Sequence, residues 1–166
     1  MTERLTQRLV AEHPGLLARI HAIAAALASK TPASAEGAAV IRRGLATLKQ
    51  ELDLHASLED DAVFSVLEPE LLERGGIALT PFKEEHDEVR RHLHDLEHAL
   101  GAASTGAAAN LPKAAQAARD LEGTCEDHFR KEEEVVFPMA EEILTEEAWG
   151  KVDRLAEAIT ASGFTR

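Results

Sequence analysis

The sequence contains one ten-residue pattern twice, and both copies pair a histidine with an acid one helical turn later. The pattern is His-x-x-x-Glu-acid-acid-x-Val-Phe, and it spans residues 55–64 and again 128–137. Residues four apart lie on one face of a helix, about 6 Å from each other, so each copy presents an imidazole and a carboxylate together. Iron, manganese and zinc accept such ligands, so each copy is a candidate metal half-site.

The duplication extends beyond this pattern. The two copies lie 73 residues apart (128 minus 55). The same offset relates three further pairs of acids and histidines: Glu12 and Glu85, His13 and His86, and His21 and His94. A lone His-x-x-x-Glu in an acidic helix is most often a solvated face, but two copies in register favour a metal pair held across a helical bundle, with the carboxylates as bridges.

The composition is typical of an all-helical protein. The 166 residues suffice for one domain with its own core, there is no tyrosine, and aromatic residues make up only 4%. A formal net charge of −12 argues against binding to nucleic acid or to an anionic membrane surface. Because the sequence shows neither a signal peptide nor a segment that could span a bilayer, we expect a soluble, cytoplasmic protein.

The single cysteine, Cys125, lies three residues before His128. It cannot form an internal disulfide, which agrees with a reducing compartment. A buried structural thiol is the expected role, since cysteine packs as a small apolar residue. A redox or gating role near a metal is the alternative.

Apolar spacing and turn residues predict five helices. Their expected bounds are 3–29, 36–67, 81–101, 112–142 and 146–160, and both Val135 and Val136 are expected to face inward on the fourth. Pro14 predicts a kink at His13 or a helix that restarts at the proline, and Pro69 predicts the end of the second helix. The expected helix caps are Ser34, Thr80, Asn110 and Thr145.

These elements predict an all-α fold, an up-down-up-down antiparallel four-helix bundle over residues 1–144. Residues 145–166 are expected to add a short fifth helix that packs on the bundle. The apolar stripe of this helix could cover one end of the bundle as a lid. A dimer contact would require the same stripe, so we expect a monomer or a weak homodimer. The stripe consists of Trp149, Val152, Leu155 and Ile159.

Register within the two hairpins indicates which histidines meet. Residues at one level of an antiparallel hairpin have numbers whose sum is twice the midpoint of the turn. A turn near residue 32 predicts a sum near 65, and His13 with His55 gives 68. A turn near residue 106 predicts 212, and His86 with His128 gives 214. Of the other four histidines, His21 and His94 are second choices for sharing the site. His92 and His98 are expected to be exposed.

This arrangement resembles the hemerythrin family, specifically its bacterial HHE cation-binding branch, over about residues 5–142. The resemblance rests on a helix-one histidine, a helix-three histidine, both His-x-x-x-Glu motifs and a final Glu-Glu-x-Val-Val-Phe-Pro. It implies a non-haem centre of two iron ions, oxo- or hydroxo-bridged. It also implies four histidines as terminal ligands and two glutamates as bridges: His13, His55, His86, His128, Glu59 and Glu132.

Two positions depart from the oxygen-carrying members of that family. Those members place a second histidine four residues after the helix-three ligand, where this chain has Arg90. They also space the last acid five residues from its histidine, which would be Glu133, but the helical face and the copy at Glu59 favour Glu132. Losing one histidine leaves positions on iron for water, an oxo group or another side chain such as Glu51.

Open positions on iron predict a reaction with small oxygen species, most of all catalase-like decomposition of hydrogen peroxide. The alternative function is an oxygen, nitric oxide or iron binding or sensing module without turnover. A helical protein whose histidines are merely packed would need other partners for buried imidazoles and carboxylates, and the sequence does not offer them.

Overall fold

The computed structural model describes residues 3–29, 35–104 and 110–162, and these residues form helices and no strand. The segments are α1 (Leu5–Ala28); α2 (Ala35–Ser57), a first π-helical segment (Leu58–Phe64) and α3 (Ser65–Glu73); α4 (Thr80–Ser104); α5 (Leu111–Lys131), a second π-helical segment (Glu132–Val136) and α6 (Phe137–Ile143); and α7 (Glu146–Ala161). Joined end to end, the segments make four long helical rods: α1, residues 35–73, α4 and residues 111–143. Helix α1 packs against α2 and α5, and α4 packs against the same two, so the four rods form a closed bundle. The predicted all-α bundle is confirmed.

Two apolar clusters fill the bundle and leave a polar layer between them. The turn-end cluster lies toward the connections that follow α1 and α4. Its members include Ile20, Leu48, Leu96 and Leu121. The lid-end cluster fills the opposite end and includes Phe64, Leu67, Val136 and Val152. On α1, Leu9 belongs to the lid-end cluster and Leu16 to the turn-end cluster, so His13 lies in the layer between them.

Both copies of the repeated pattern contain a π-helical segment, which α-helical spacing did not predict. Its i→i+5 hydrogen bonds make a wider turn than the α-helix, and such segments are frequent at functional sites. One consequence is a correction. Val135 was expected to face inward but is 43% exposed, whereas Val136 is fully buried, because the wider turn rotates the residues that follow it about the helix axis.

Two expectations rested on proline, and the structure contradicts the one at Pro69. The second helix was expected to end at residue 67, which was wrong, because the rod continues through Pro69 as α3. Burial of Val66, Leu67 and Leu71 in the core holds this extension in place although proline contributes no amide hydrogen. Helix α1 is continuous across Pro14, so it does not restart there.

The expected caps have mixed outcomes. The Thr145 hydroxyl accepts a hydrogen bond from the Ala148 amide at 3.2 Å, so this cap is confirmed. Asn110 precedes α5, but its side chain makes no capping hydrogen bond. The cap predicted at Thr80 was wrong by one position, because Thr80 is already the first residue of α4. The expected cap at Ser34 falls outside the described residues.

A carboxylate from the preceding rod holds the start of α4. Glu68 accepts hydrogen bonds from the Leu79 amide at 2.7 Å and from the Lys83 ammonium at 3.1 Å. Leu79 is itself fully buried. Since α4 carries His86, these bonds help to set the position of that histidine along the bundle.

Helix α7 lies against α1, α3 and the first π-helical segment, over the lid end of the bundle. Trp149, Val152 and Ala156 are buried there, and Leu155 and Ile159 are partly buried against the same cluster. A domain division between residues 144 and 145 stays a prediction. No helix among the described residues is both long enough and apolar enough to cross a bilayer.

Replacing Glu68 by alanine should lower the free energy of unfolding by about 1–3 kcal/mol, because a charge-assisted hydrogen bond to a buried amide is lost. Urea denaturation measures the change. Glu70→Ala is the control on the same helix: its carboxylate lies 3.7 Å from Arg74 at the surface, and its loss should change stability by less than about 0.5 kcal/mol. Equal losses in the two variants would contradict the assigned role of Glu68.

Candidate metal centre

Six buried polar side chains meet in the layer between the two apolar clusters. They are His13 from α1, His55 from α2, Glu59 from the first π-helical segment, His86 from α4, His128 from α5 and Glu132 from the second π-helical segment. None is more than 4% exposed. The structure thus brings together all six residues that the sequence analysis singled out. That they bind metal stays a prediction.

The six side chains form two groups that share both glutamates. His13 and His55 belong to one group and His86 and His128 to the other, and within each group the nearest ligand atoms lie within 4.8 Å of one another. The facing Nε2 atoms are 3.1 Å apart in the first group and 2.9 Å apart in the second. Two metal ions side by side would each receive two imidazoles.

Each glutamate directs one oxygen toward each group. Glu59 Oε1 lies 2.9 Å from His55 Nε2, and its Oε2 lies 3.1 Å from His86 Nε2. Glu132 Oε1 lies 3.1 Å from His128 Nε2, and its Oε2 lies 3.6 Å from His13 Nε2. Both carboxylates are therefore placed to bridge two ions.

The carboxylate oxygens provide a direct test of whether these residues fit a metal. All four are buried, and apart from the imidazole nitrogens of the four histidines no hydrogen-bond partner among the described residues reaches them. A buried acceptor without a donor costs about 1–3 kcal/mol, and more when it is charged. Imidazole nitrogens and carboxylate oxygens that converge without donors suit cations between them, so the six residues fit a metal pair.

Each of the four histidines also contacts a second carboxylate through Nδ1. The pairs are His13 with Glu133 at 2.7 Å, His55 with Glu12 at 2.9 Å, His86 with Asp60 at 3.1 Å, and His128 with Glu85 at 2.8 Å. Because a carboxylate accepts, Nδ1 carries the hydrogen and the Nε2 lone pair faces the centre. Such partners orient a ligating histidine and make it more basic.

These Nδ1 partners were missed as functional residues, although a signal was present. Glu12 and Glu85 had been recognised as a repeated pair without a role, and Asp60 and Glu133 are related by the same 73-residue offset. Glu133, considered as the alternative to Glu132, lies outside both groups and binds His13 instead.

The pKa values of the centre show how charge is balanced when protons alone are present. Burial, and after it the charge of Glu59, raises the pKa of Glu132 to about 7. Burial also acts to raise the pKa of Glu59, but the charge of His55 outweighs it and lowers that pKa. Burial lowers the pKa of His55 by itself, yet the charge of Glu59 and the bond to Glu12 raise it to about 10.

The other four histidines lie outside the centre. His21 and His94 are about three-quarters exposed, and the His21 ring binds Glu122 at 2.8 Å. His98 is exposed as expected, but His92 is partly buried, so that expectation was wrong.

Two further residues that the sequence analysis considered also point away from the centre. Glu51 lies 2.9 Å from the Arg19 guanidinium and belongs to neither group. Arg90, where oxygen carriers have a histidine, pairs with Asp87 at 2.9 Å and approaches Asp53 at 3.7 Å.

Cys125 is fully buried in the turn-end cluster. Burial raises the pKa of its thiol to about 12, so the group stays protonated at neutral pH. This environment fits the expected structural role, since the thiolate is the reactive form of cysteine.

Comparison with known families gives one match. The family model described as the hemerythrin HHE cation binding domain matches residues 4–140 and also residues 78–161. The first match includes all six residues of the centre, and the second begins just before α4. No curated protein and no solved structure matches the chain.

Replacing Glu12 by alanine should weaken metal binding by about 10- to 100-fold, because His55 loses the carboxylate that orients it. Titration with iron(II) or manganese(II) against a competing chelator measures the affinity. Glu122→Ala is a matched control, since Glu122 also contacts a histidine Nδ1 at 2.8 Å but far from the centre. Equal affinities for the two variants would contradict the role assigned to Glu12.

The metal-free protein should lose stability as the pH rises from 7 to 10. The neighbouring carboxylates outweigh burial and raise the pKa of His55 to about 10 and of His86 to about 9, so each contributes stability that is complete below pH 6.5 and is lost as the pH rises through those values. Glu132 also has a raised pKa, so the stability that it contributes is likewise lost as the pH rises through about 7.

We expect a decrease of at least about 1 kcal/mol over this window, measured by urea denaturation in the presence of a chelator. Metal-loaded protein should lack the decrease, because metal replaces the protons on Nε2. Metal-free protein that is as stable at pH 9.5 as at pH 7 would contradict the charge balance described above.

Proposed function

The chain belongs to the hemerythrin HHE cation-binding family, and from this we propose that it holds two iron ions and decomposes hydrogen peroxide in a catalase-like reaction. The observation that carries the proposal is the pair of buried glutamates, each with one oxygen toward either group of histidines and no hydrogen-bond donor on any oxygen. A single ion would leave one group of imidazoles without a partner.

The number and type of ligands support iron with open positions. Each group offers two imidazole nitrogens and one oxygen from each glutamate, which gives four ligand atoms for an ion that prefers about six. Arg90 pairs with aspartates outside the centre and supplies no further ligand. Small molecules therefore have room to coordinate.

Bound iron would supply redox chemistry toward oxygen species. The protein supplies position and exclusion of water. The Nδ1 carboxylates hold the four imidazoles in one tautomer, and the two apolar clusters cover the centre from both ends of the bundle. Glu12 and Glu133 are about half exposed, so hydrogens on the Nδ1 atoms of His55 and His13 are shared with groups that reach solvent.

A small-molecule oxidant is the proposed partner. The formal net charge of −12 supports a function without nucleic acid, because phosphates require clustered lysine and arginine.

Binding or sensing of oxygen, nitric oxide or iron without turnover is the second candidate. One observation favours it: each histidine of the centre donates from Nδ1 to a carboxylate and turns Nε2 toward the place where metal would bind, so none is free to act as a general acid or base. Reversible binding needs no such group.

Iron-loaded protein should evolve oxygen from hydrogen peroxide above the rate of free iron, as measured with an oxygen electrode. Glu132→Gln should lower the rate at least about tenfold, because one bridging carboxylate is lost. Glu134→Gln is the control, since Glu134 is exposed at the surface and contacts Arg130.

Absence of oxygen evolution above free iron, or full turnover in the Glu132 variant, would contradict the catalase-like proposal. A stable spectral complex with oxygen or nitric oxide, without turnover, would then support the second candidate.

A further inference from the structure

A cavity opens onto one side of the metal centre. It has a volume of about 20 Å³, enough for about one water-sized molecule, and lies between α2, α4 and α5. The centre residues that line it are His55, Glu59, His86 and His128. Its remaining walls are buried and mostly apolar, and the partly exposed side chains of Asp53 and Arg90 mark the mouth.

The internal repeat allows the two sides of the centre to be compared residue by residue. Residues 73 positions apart make matching contacts around His13 and His86. For example, the Phe137 ring lies 6.2 Å from the His13 ring, centroid to centroid, and the Phe64 ring lies 6.2 Å from the His86 ring. Counterparts in the sequence are therefore counterparts in space.

The two sides differ at the pair Phe129 and Ala56, which are counterparts in the repeat. The Phe129 ring stacks on His13, with the centroids 4.1 Å apart and the planes at 5°. Phe129 also lines the cavity, so its ring stands between the cavity and His13, whereas its counterpart Ala56 lines the cavity with only a methyl group. Space that an aromatic ring fills on the His13 side is therefore left open on the His86 side.

Two further pairs differ in the same sense. Val89 lines the cavity, whereas its counterpart Leu16 is one methylene larger and is buried in the turn-end cluster. Arg90 extends to Asp87 and Asp53 at the mouth, whereas its counterpart Leu17 packs against the turn-end cluster. All three differences open the His86 side.

We propose that small uncharged molecules reach the centre through this cavity on the His86 side, and that Ala56 is the residue that keeps the path open while Phe129 closes the His13 side. This inference rests on the proposed function in that it requires a metal-loaded centre. Molecules of the size of nitric oxide, oxygen or hydrogen peroxide suit the cavity. Its apolar walls would disfavour the entry of an ion, because the ion would lose its hydration there.

The rate at which nitric oxide changes the absorption spectrum of iron-loaded protein tests the proposal. Ala56→Phe should slow this rate at least about tenfold at unchanged iron content, because the ring fills the path. Val89→Leu narrows the same path with a milder change and should slow it less. Leu16→Val is the matched control on the closed side, and its rate should equal that of the wild type because Phe129 still covers His13.

Equal rates in the wild type and in Ala56→Phe would overturn the proposal, as would an absence of nitric oxide binding by the wild type. If Ala56→Phe does not fold, Val89→Leu against Leu16→Val decides in the same way. The outcome is separate from turnover: slowed nitric oxide binding without any peroxide decomposition would support the access path while contradicting the catalase-like proposal.

Discussion

Two carboxylates buried without hydrogen-bond donors are the constraint on which the rest of this structure depends. Glu59 and Glu132 are fully buried, and charge in such a place is costly unless positive charge lies beside it. The four surrounding histidines meet this need either with protons or by holding cations. The apolar clusters at both ends strengthen the interaction, since they exclude water from the layer where the charges lie.

The duplicated sequence builds a centre with near two-fold symmetry, and the departures from that symmetry set its two sides apart. Ligand positions and Nδ1 partners are repeated in both halves. Around them the halves differ. Ala56 in the first half is the counterpart of Phe129 in the second. Lys131, which donates a hydrogen bond to Glu85 at 2.6 Å, has the buried Leu58 as its counterpart. Two ions held here would have different surroundings although their ligands are alike.

The fold was largely predictable because its signals are local. Apolar residues at helical spacing and turn residues between them located all five rods, and register within each hairpin paired His13 with His55 and His86 with His128. The errors arose where a non-local effect prevailed. Burial in the core carried the second rod past Pro69, and the π-helical segments rotated Val135 outward, and neither effect is visible in spacing alone.

The sequence by itself determined the ligand types, their duplication and their place along each helix. Only the tertiary structure decided that Glu133 binds His13 from outside the centre, that each buried carboxylate has one oxygen toward either group, and that a cavity opens on the His86 side. The physical reason is that these features depend on how each helix is rotated about its axis and on what packs against it. Both are set by residues far away in the chain.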